Sequence, residues 1–277
     1  MSQVINTNLM SLNAQRNLHT NSSSLATAVQ RLSSGLRVNS AKDDAAGLAI
    51  AERMNTQIRG MNVAIRNANY GISLAQTAEA SLGQIGEMAQ RMRELAVQSA
   101  NATNTAEDRA NLDAEYQQLA QEITRTIAST TFNGLAILAG DAGTQNFQVG
   151  AGSDALINAI SITTTDLSGA AEVTAVTSGS IATAAGATTA MDDIETLIDL
   201  LTTERATYGA AQNRFESVIS NLQSAVESQT AARSRIMDAD FAAETAAMTR
   251  AQVLQQAGVA MLSQANAMPN TVLSLLR

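Results

Sequence analysis

Residues 31 to 51, RLSSGLRVNSAKDDAAGLAIA, gather Arg31, Arg37, Lys42, Asp43 and Asp44 around Gly35 and Gly47. Charges of both signs beside glycines can cradle a ligand, and the same composition also stops one helix and starts the next. The chain offers little else for chemistry. His19 is the only histidine and cysteine is absent, which removes His-based triads, thiol nucleophiles and zinc sites needing two or more His or Cys ligands. No Walker loop, GxGxxG or HExxH occurs. Asp43 with Asp44 and Asp192 with Asp193 are paired carboxylates, but adjacent residues on a helix diverge by about 100° and do not face one site. They read as acids of a first helical turn, where they complement the helix dipole. His19 reads as a surface or interface residue, and the methionines of the apolar stripes as adaptable packing material. No catalytic residue, metal or cofactor is expected.

The elements that hold these residues are helices of unusual length. Aromatics make up 3% of the 277 residues, with one proline and no tryptophan, so a thick globular core is excluded and packed long helices are favoured. Leu18, Leu25 and Leu32 are spaced by seven, after a shorter stripe at Ile5, Leu9 and Leu12. Beyond the charged cluster, Ala51, Met54, Ile58, Met61, Ile65, Ala68, Ile72 and Ala75 alternate steps of three and four, and Ala78, Leu82, Ile85, Met92 and Leu95 extend the stripe. A helix from 44 to about 100 would measure roughly 85 Å at ~1.5 Å per residue. Thr105, with Glu107 and Asp108 behind it, starts another helix that runs to about 130 through Leu112, Tyr116, Leu119, Ile123 and Ile127.

At TFNG (131 to 134) the pattern turns to β-type residues with turn signals, predicting short hairpin strands over 131–163. Residues 164–188, mostly Ala, Thr, Ser and Gly without periodicity, predict a surface loop or small exposed subdomain. The seam returns from about 190 to about 235 through Ile194, Leu197, Leu201, Tyr208 and Phe215. A last stripe carries Leu254, Met261, Val272 and Leu275, with Pro269 inside it expected to fray or kink the helix. The expected fold is mainly α: long antiparallel coiled-coil helices with a small β-hairpin region at the distal end. Its segments are 1–43 (terminal helix and corner), 44–130 (long helices), 131–188 (hairpins and short variable loop), 189–237 (returning helix) and 238–277 (terminal helix). Terminal helices with one-sided stripes cannot bury them alone and must find each other or neighbouring copies.

Charge narrows the partners. The net charge is −8, yet residues 1–42 carry +4 and residues 245–277 carry +2, leaving an acidic middle. Bulk acidity and scattered basic residues argue against nucleic acid, and the lack of an apolar run of about 18 residues or a cleavable leader argues against membrane insertion and Sec-type export. Of 17 basic residues only Lys42 is a lysine, and arginine's planar fork suits interface ion pairs.

Four separated stretches then resemble one family in its own order: LSSGLRVNSAKDDAAGLAIA at 32–51, QRMRELAVQSANATN at 90–104, TFNG at 131–134 and QANAMPNTVLSLLR at 264–277. Together they are similar to bacterial flagellin, over roughly residues 1–148 and 189–277. The resemblance implies a secreted, extracellular filament subunit used for motility, a homo-polymer in which the terminal helices form an inner tube and the long helices a surrounding layer. On that reading Leu18, Leu25, Leu32, Leu254, Met261, Val272 and Leu275 serve filament assembly, and Gly35, Lys42, Asp43 and Asp44 form the corner between layers, the last three pairing with arginines of the same or a neighbouring subunit. It further implies type III export with a C-terminal chaperone, contacts to filament cap and junction proteins, and recognition by the vertebrate flagellin-sensing Toll-like receptor through Arg91, Leu95, Gln98 and Glu115. A short variable region implies little or no outer domain. The nearest rival is a hook–filament junction protein of the same family; a flagellin with an inserted catalytic domain is disfavoured because 149–188 is short and lacks HExxH.

Overall fold

The computed structural model describes residues 7–273. In chain order they form α1 (Leu9–Ser34), α2 (Ala45–Ala100), α3 (Ala106–Ser129), β1 (Thr131–Phe132), β2 (Leu135–Ala136), β3 (Thr144–Gln148), α4 (Ala155–Asn158), β4 (Ala159–Thr163), α5 (Ala171–Ser178), α6 (Ala184–Met237) and α7 (Phe241–Leu273). The fold is mainly α, with long helices and two small antiparallel sheets, β1 with β2 and β3 with β4.

Local chemistry sets the boundaries. The Asn8 side chain accepts a hydrogen bond from the Ser11 amide and so starts α1, which ends at Gly35 in the left-handed conformation (φ 71°). Thr105 and Asp108 close a reciprocal capping box at the head of α3. The TFNG turn places Asn133 and Gly134 at φ 52° and 84°, the two positive values a two-residue hairpin turn demands, and pairs Phe132 with Leu135.

The described chain separates into two compact units, one running from Arg59 to Val226 and the other combining residues up to Ile58 with those from Glu227 onward. Both divisions fall inside helices, α2 and α6, rather than at helix ends. In the central unit Leu82, Ile85, Met92 and Leu95 of α2 pack into one core with Tyr116, Ile123 and Ile127 of α3 and Ile194, Leu197, Tyr208 and Phe215 of α6. Alanines at 68, 75, 78 and 89 are fully buried; their small side chains leave room for close approach of backbones. Phe215 stacks edge-on against Phe147 of β3, centroids 5.4 Å apart, and its other side meets Gly71.

The stretch expected as an exposed loop is built differently. Residues 171–178 form α5, α6 begins at Ala184, and Val173, Val176 and Ile181 are buried. Hydrogen bonds from neighbouring helices fasten this segment: the Tyr116 hydroxyl donates to the Val176 carbonyl (3.0 Å), Ser99 to Ile181 (2.5 Å) and Gln117 to Gly179 (2.7 Å). The Asp113 carboxylate accepts from the Ser180 hydroxyl and the Ile181 amide. Burial, with Asp193 and Asp113 nearby, pushes the Tyr116 hydroxyl up to about 12, so it stays a neutral donor. Order here comes from side chains donated by α2 and α3, which no periodicity within 164–188 encodes. Pro269 is the second departure: α7 stays helical through it to Leu273, so the missing amide removes one hydrogen bond without ending the helix.

A Cβ at Gly71 would lie 2.5 Å from the Phe215 ring, whereas one at Gly83 on the same helix meets nothing within 4 Å. Gly71→Ala is expected to destabilise by about 1–3 kcal/mol through overpacking and Gly83→Ala to stabilise by about 0.5–1 kcal/mol through helix propensity. Urea unfolding of the two variants measures both; effects of the same sign would contradict this packing.

Candidate functional site

The terminal helices α1 and α7 pack antiparallel. Arg31 pairs with Glu244 at 3.0 Å, the Asn21 amide group donates to the Ala251 carbonyl (2.7 Å), Leu18 packs on Gly258, and the Asn8 amide group donates to the Ala265 carbonyl (2.8 Å). Ser11 donates to the Asn266 side chain (2.8 Å). The face of α7 turned to α1 is therefore its line of small residues, with Ala251 and Ala265 buried and Gly258 so close that a Cβ would sit 3.0 Å from Leu18. Leu18, Leu25 and Leu32 are half-buried.

The large residues of these helices face elsewhere. Leu254 and Met261 are 53% and 65% exposed, as are Leu9, Met10 and Val259 in comparable measure. Met10, Leu18, Leu254, Met261 and Met268 line an open groove of about 590 Å³ between the two helices. Val272 lies in the last turn of α7, where only the backbone is described, and Leu275 lies outside the described residues.

At the corner, backbone pairing closes the turn from α1 into α2. The Arg37 amide donates to the Met237 carbonyl (2.6 Å) and the Ala239 amide to the Gly35 carbonyl (2.9 Å), while the Arg37 guanidinium reaches the Ile236 carbonyl (2.6 Å). Val38, Ala51 and Met237 are buried beneath. Asp43 and Asp44 depart from the arginine pairing expected within the subunit. Asp43 accepts from the Ser40 hydroxyl and from the Ser40 and Asn39 amides, which hold its carboxyl below the usual range, the Ser40 hydroxyl contributing most. Asp44 accepts from the Gly47 amide at the start of α2 (2.8 Å). Among the described residues Lys42, Asp43 and Asp44 make no ion pair: the loop amides of Asn39 and Ser40 hold Asp43, and the Gly47 amide in the first turn of α2 holds Asp44.

A third locus lies on α2 and α3. Arg91 bonds Glu115 with two nitrogens (2.9 and 3.0 Å) and Glu94 with a third (2.8 Å), and these two carboxylates, Glu94 first, raise its affinity for its proton. Arg91, Glu115 and Gln98 are exposed. Leu95 is the exception among the four expected recognition residues: its side chain is buried in the core with Tyr116 and Ile123, out of reach of a second protein.

Residues 5–142 match the bacterial flagellin N-terminal helical region and residues 191–276 the bacterial flagellin C-terminal helical region. The chain belongs to the bacterial flagellin family. Flagellin of Halalkalibacterium halodurans is 47% identical over 274 residues, covering 99% of this chain and 100% of that one. The flagellar filament 33 kDa core protein of Treponema phagedenis is 40% identical over 285 residues, covering 99% of this chain and 100% of the relative. A crystal structure of Bacillus cereus flagellin superposes with a TM-score of 0.50 at 33% identity, covering 57% of this chain and 88% of that one. As a flagellin the chain is a structural protein, a subunit that self-assembles into the extracellular flagellar filament, and nothing in these matches favours a junction protein. Sequence periodicity alone missed the polar contacts that register this flagellin's terminal helices, Asn8, Asn21 and the Arg31–Glu244 pair. The only trace was Asn21 breaking the leucine stripe. No described helix is long and apolar enough to cross a membrane.

Proposed function

We propose that subunits join through the outward apolar faces of α1 and α7, giving a hollow helical filament whose rotation produces thrust. One observation carries this reading: across its 33 residues α7 holds only two charged side chains, Glu244 and Arg250, and keeps Val253, Leu254, Val259 and Met261 more than half exposed beside α1. Large apolar side chains left this exposed on a nearly uncharged helix call for a cover, and burying each one fully stabilises by about 1.5–3 kcal/mol. The occupant that covers it is a second copy, since the family assembles with itself. Leu18, Leu25 and Leu32 set the seam within the subunit, Leu254, Met261, Val272 and Leu275 supply assembly contacts, and Gly35, Lys42, Asp43 and Asp44 fix the corner. The test is electron microscopy after mixing with short filament seeds. The full chain should grow long tubes, and a chain lacking 1–40 and 240–277 should stay folded and monomeric; tubes from the truncated chain would overturn the reading.

The same uncovered α7 needs shielding before assembly, which supports export through the type III apparatus with a chaperone on the C-terminal helix, followed by hand-over to cap and junction proteins. The truncated chain should lose capture by that chaperone, and retained capture would contradict the assignment.

The exposed Arg91, Gln98 and Glu115 supply a polar face for the vertebrate flagellin-sensing Toll-like receptor, with Leu95 holding α2 in place from below. Arg91→Ala should cut receptor-dependent reporter activation by at least about tenfold with unchanged helical content; full activation would remove Arg91 from the contact.

A further inference from the structure

We propose that Met10, Met261 and Met268 form an oxidation site at which hydrogen peroxide blocks assembly of the subunit. The inference rests on the reading of the α1 and α7 faces as the assembly surface, and adds to it a modification that switches that surface off. Met54, Met88, Met191 and Met248 are half-buried, and the other described methionines lie at the two extremes. Met61, Met92 and Met237 are buried in the two cores, whereas Met10, Met261 and Met268 are 60%, 65% and 50% exposed and line the same groove between α1 and α7. Met261 and Met268 lie seven residues apart, two turns along one side of α7. The rest of the groove wall combines Leu18, Leu254 and small residues with the carboxamides of Asn13, Asn17, Asn21 and Gln264, and carries no charged side chain.

In the reaction the thioether sulfur attacks one peroxide oxygen. An S–O bond forms, the O–O bond breaks, and the departing hydroxide takes up a proton and leaves as water. The sulfur loses two electrons and the peroxide gains them. A flexible apolar side chain thereby becomes a bulkier, polar sulfoxide whose oxygen gives up its water when a neighbouring copy covers the groove, and the altered shape and polarity no longer match the apolar face that covers it. The effect is directional in time: a free subunit presents these sulfurs to the oxidant, whereas in a filament they are covered by the neighbouring copy. Cysteine is absent from the chain, so peroxide has no thiol to divert it and methionine is its principal target.

The test uses the full chain as purified monomer. It is treated with hydrogen peroxide, oxidised positions are located by peptide mass spectrometry, and growth on filament seeds is followed by light scattering. Met10, Met261 and Met268 should oxidise ahead of Met61, Met92 and Met237, with helical content and thermal unfolding unchanged. The elongation rate should fall at least about tenfold, and methionine sulfoxide reductases with dithiothreitol should restore it. A Met10→Leu/Met261→Leu/Met268→Leu variant should keep its elongation rate through the same treatment. Unchanged growth after oxidation of the three sites, equal loss in the leucine variant, or no recovery with the reductases would overturn the proposal. These outcomes leave the assembly reading standing; that reading falls separately, if the chain lacking 1–40 and 240–277 grows filaments.

Discussion

The constraint on which this molecule turns is the near absence of charge along α7. With Glu244 near its start and Arg250 as its only other charged residue, the helix leaves Val253, Leu254, Val259 and Met261 in water, and α1 covers the line of Ala251, Gly258 and Ala265. Small residues permit the tight approach to α1, and polar side chains from Asn8, Ser11 and Asn21 fix its register. The bulky residues are left for something else to bury. On the assembly proposed above, subunit design and polymer formation are one problem: neighbouring copies would supply the burial that the terminal pair lacks, against an ordering cost of about 1–2 kcal/mol per residue.

The central unit solves the opposite problem and closes on itself. Three long helices bury alanines against alanines and seat a few large side chains, Tyr116, Tyr208 and Phe215, where the backbones part. Because Phe215 takes the space above Gly71, the spacing of α2 and α6 is set by one ring on one glycine. The central unit thus keeps a core of its own.

How much of this could be read from the sequence depends on whether the cause was local. The Thr105 capping box, the left-handed Gly35 and the Asn133–Gly134 turn are written in a few adjacent residues, and each is found where the residues place it. The seven-residue stripes likewise located α2, α3 and α6. Order arising from distant parts of the chain was not legible. Helix α5 is held by Tyr116, and the turn after it by Gln117, Asp113 and Ser99, each 60 or more residues away in sequence. Leu95 shows the same limit from the other side. Its neighbours Arg91 and Gln98 face water, and only the packing of α3 onto α2 decides that Leu95 does not. At the corner, within one subunit, Asp43 takes the loop amides of Asn39 and Ser40 and Asp44 the Gly47 amide, contacts set by local backbone geometry.

The most direct test of the central claim is amide hydrogen exchange of α1 and α7, compared between monomer and filament by mass spectrometry. If assembly supplies their missing burial, both helices exchange at least about tenfold more slowly in the filament, while the protected core of the central unit, around Leu82, Ile123 and Leu197, changes little. Equal exchange of α7 in the two states would mean that its apolar surface stays uncovered in the filament, and would contradict the account.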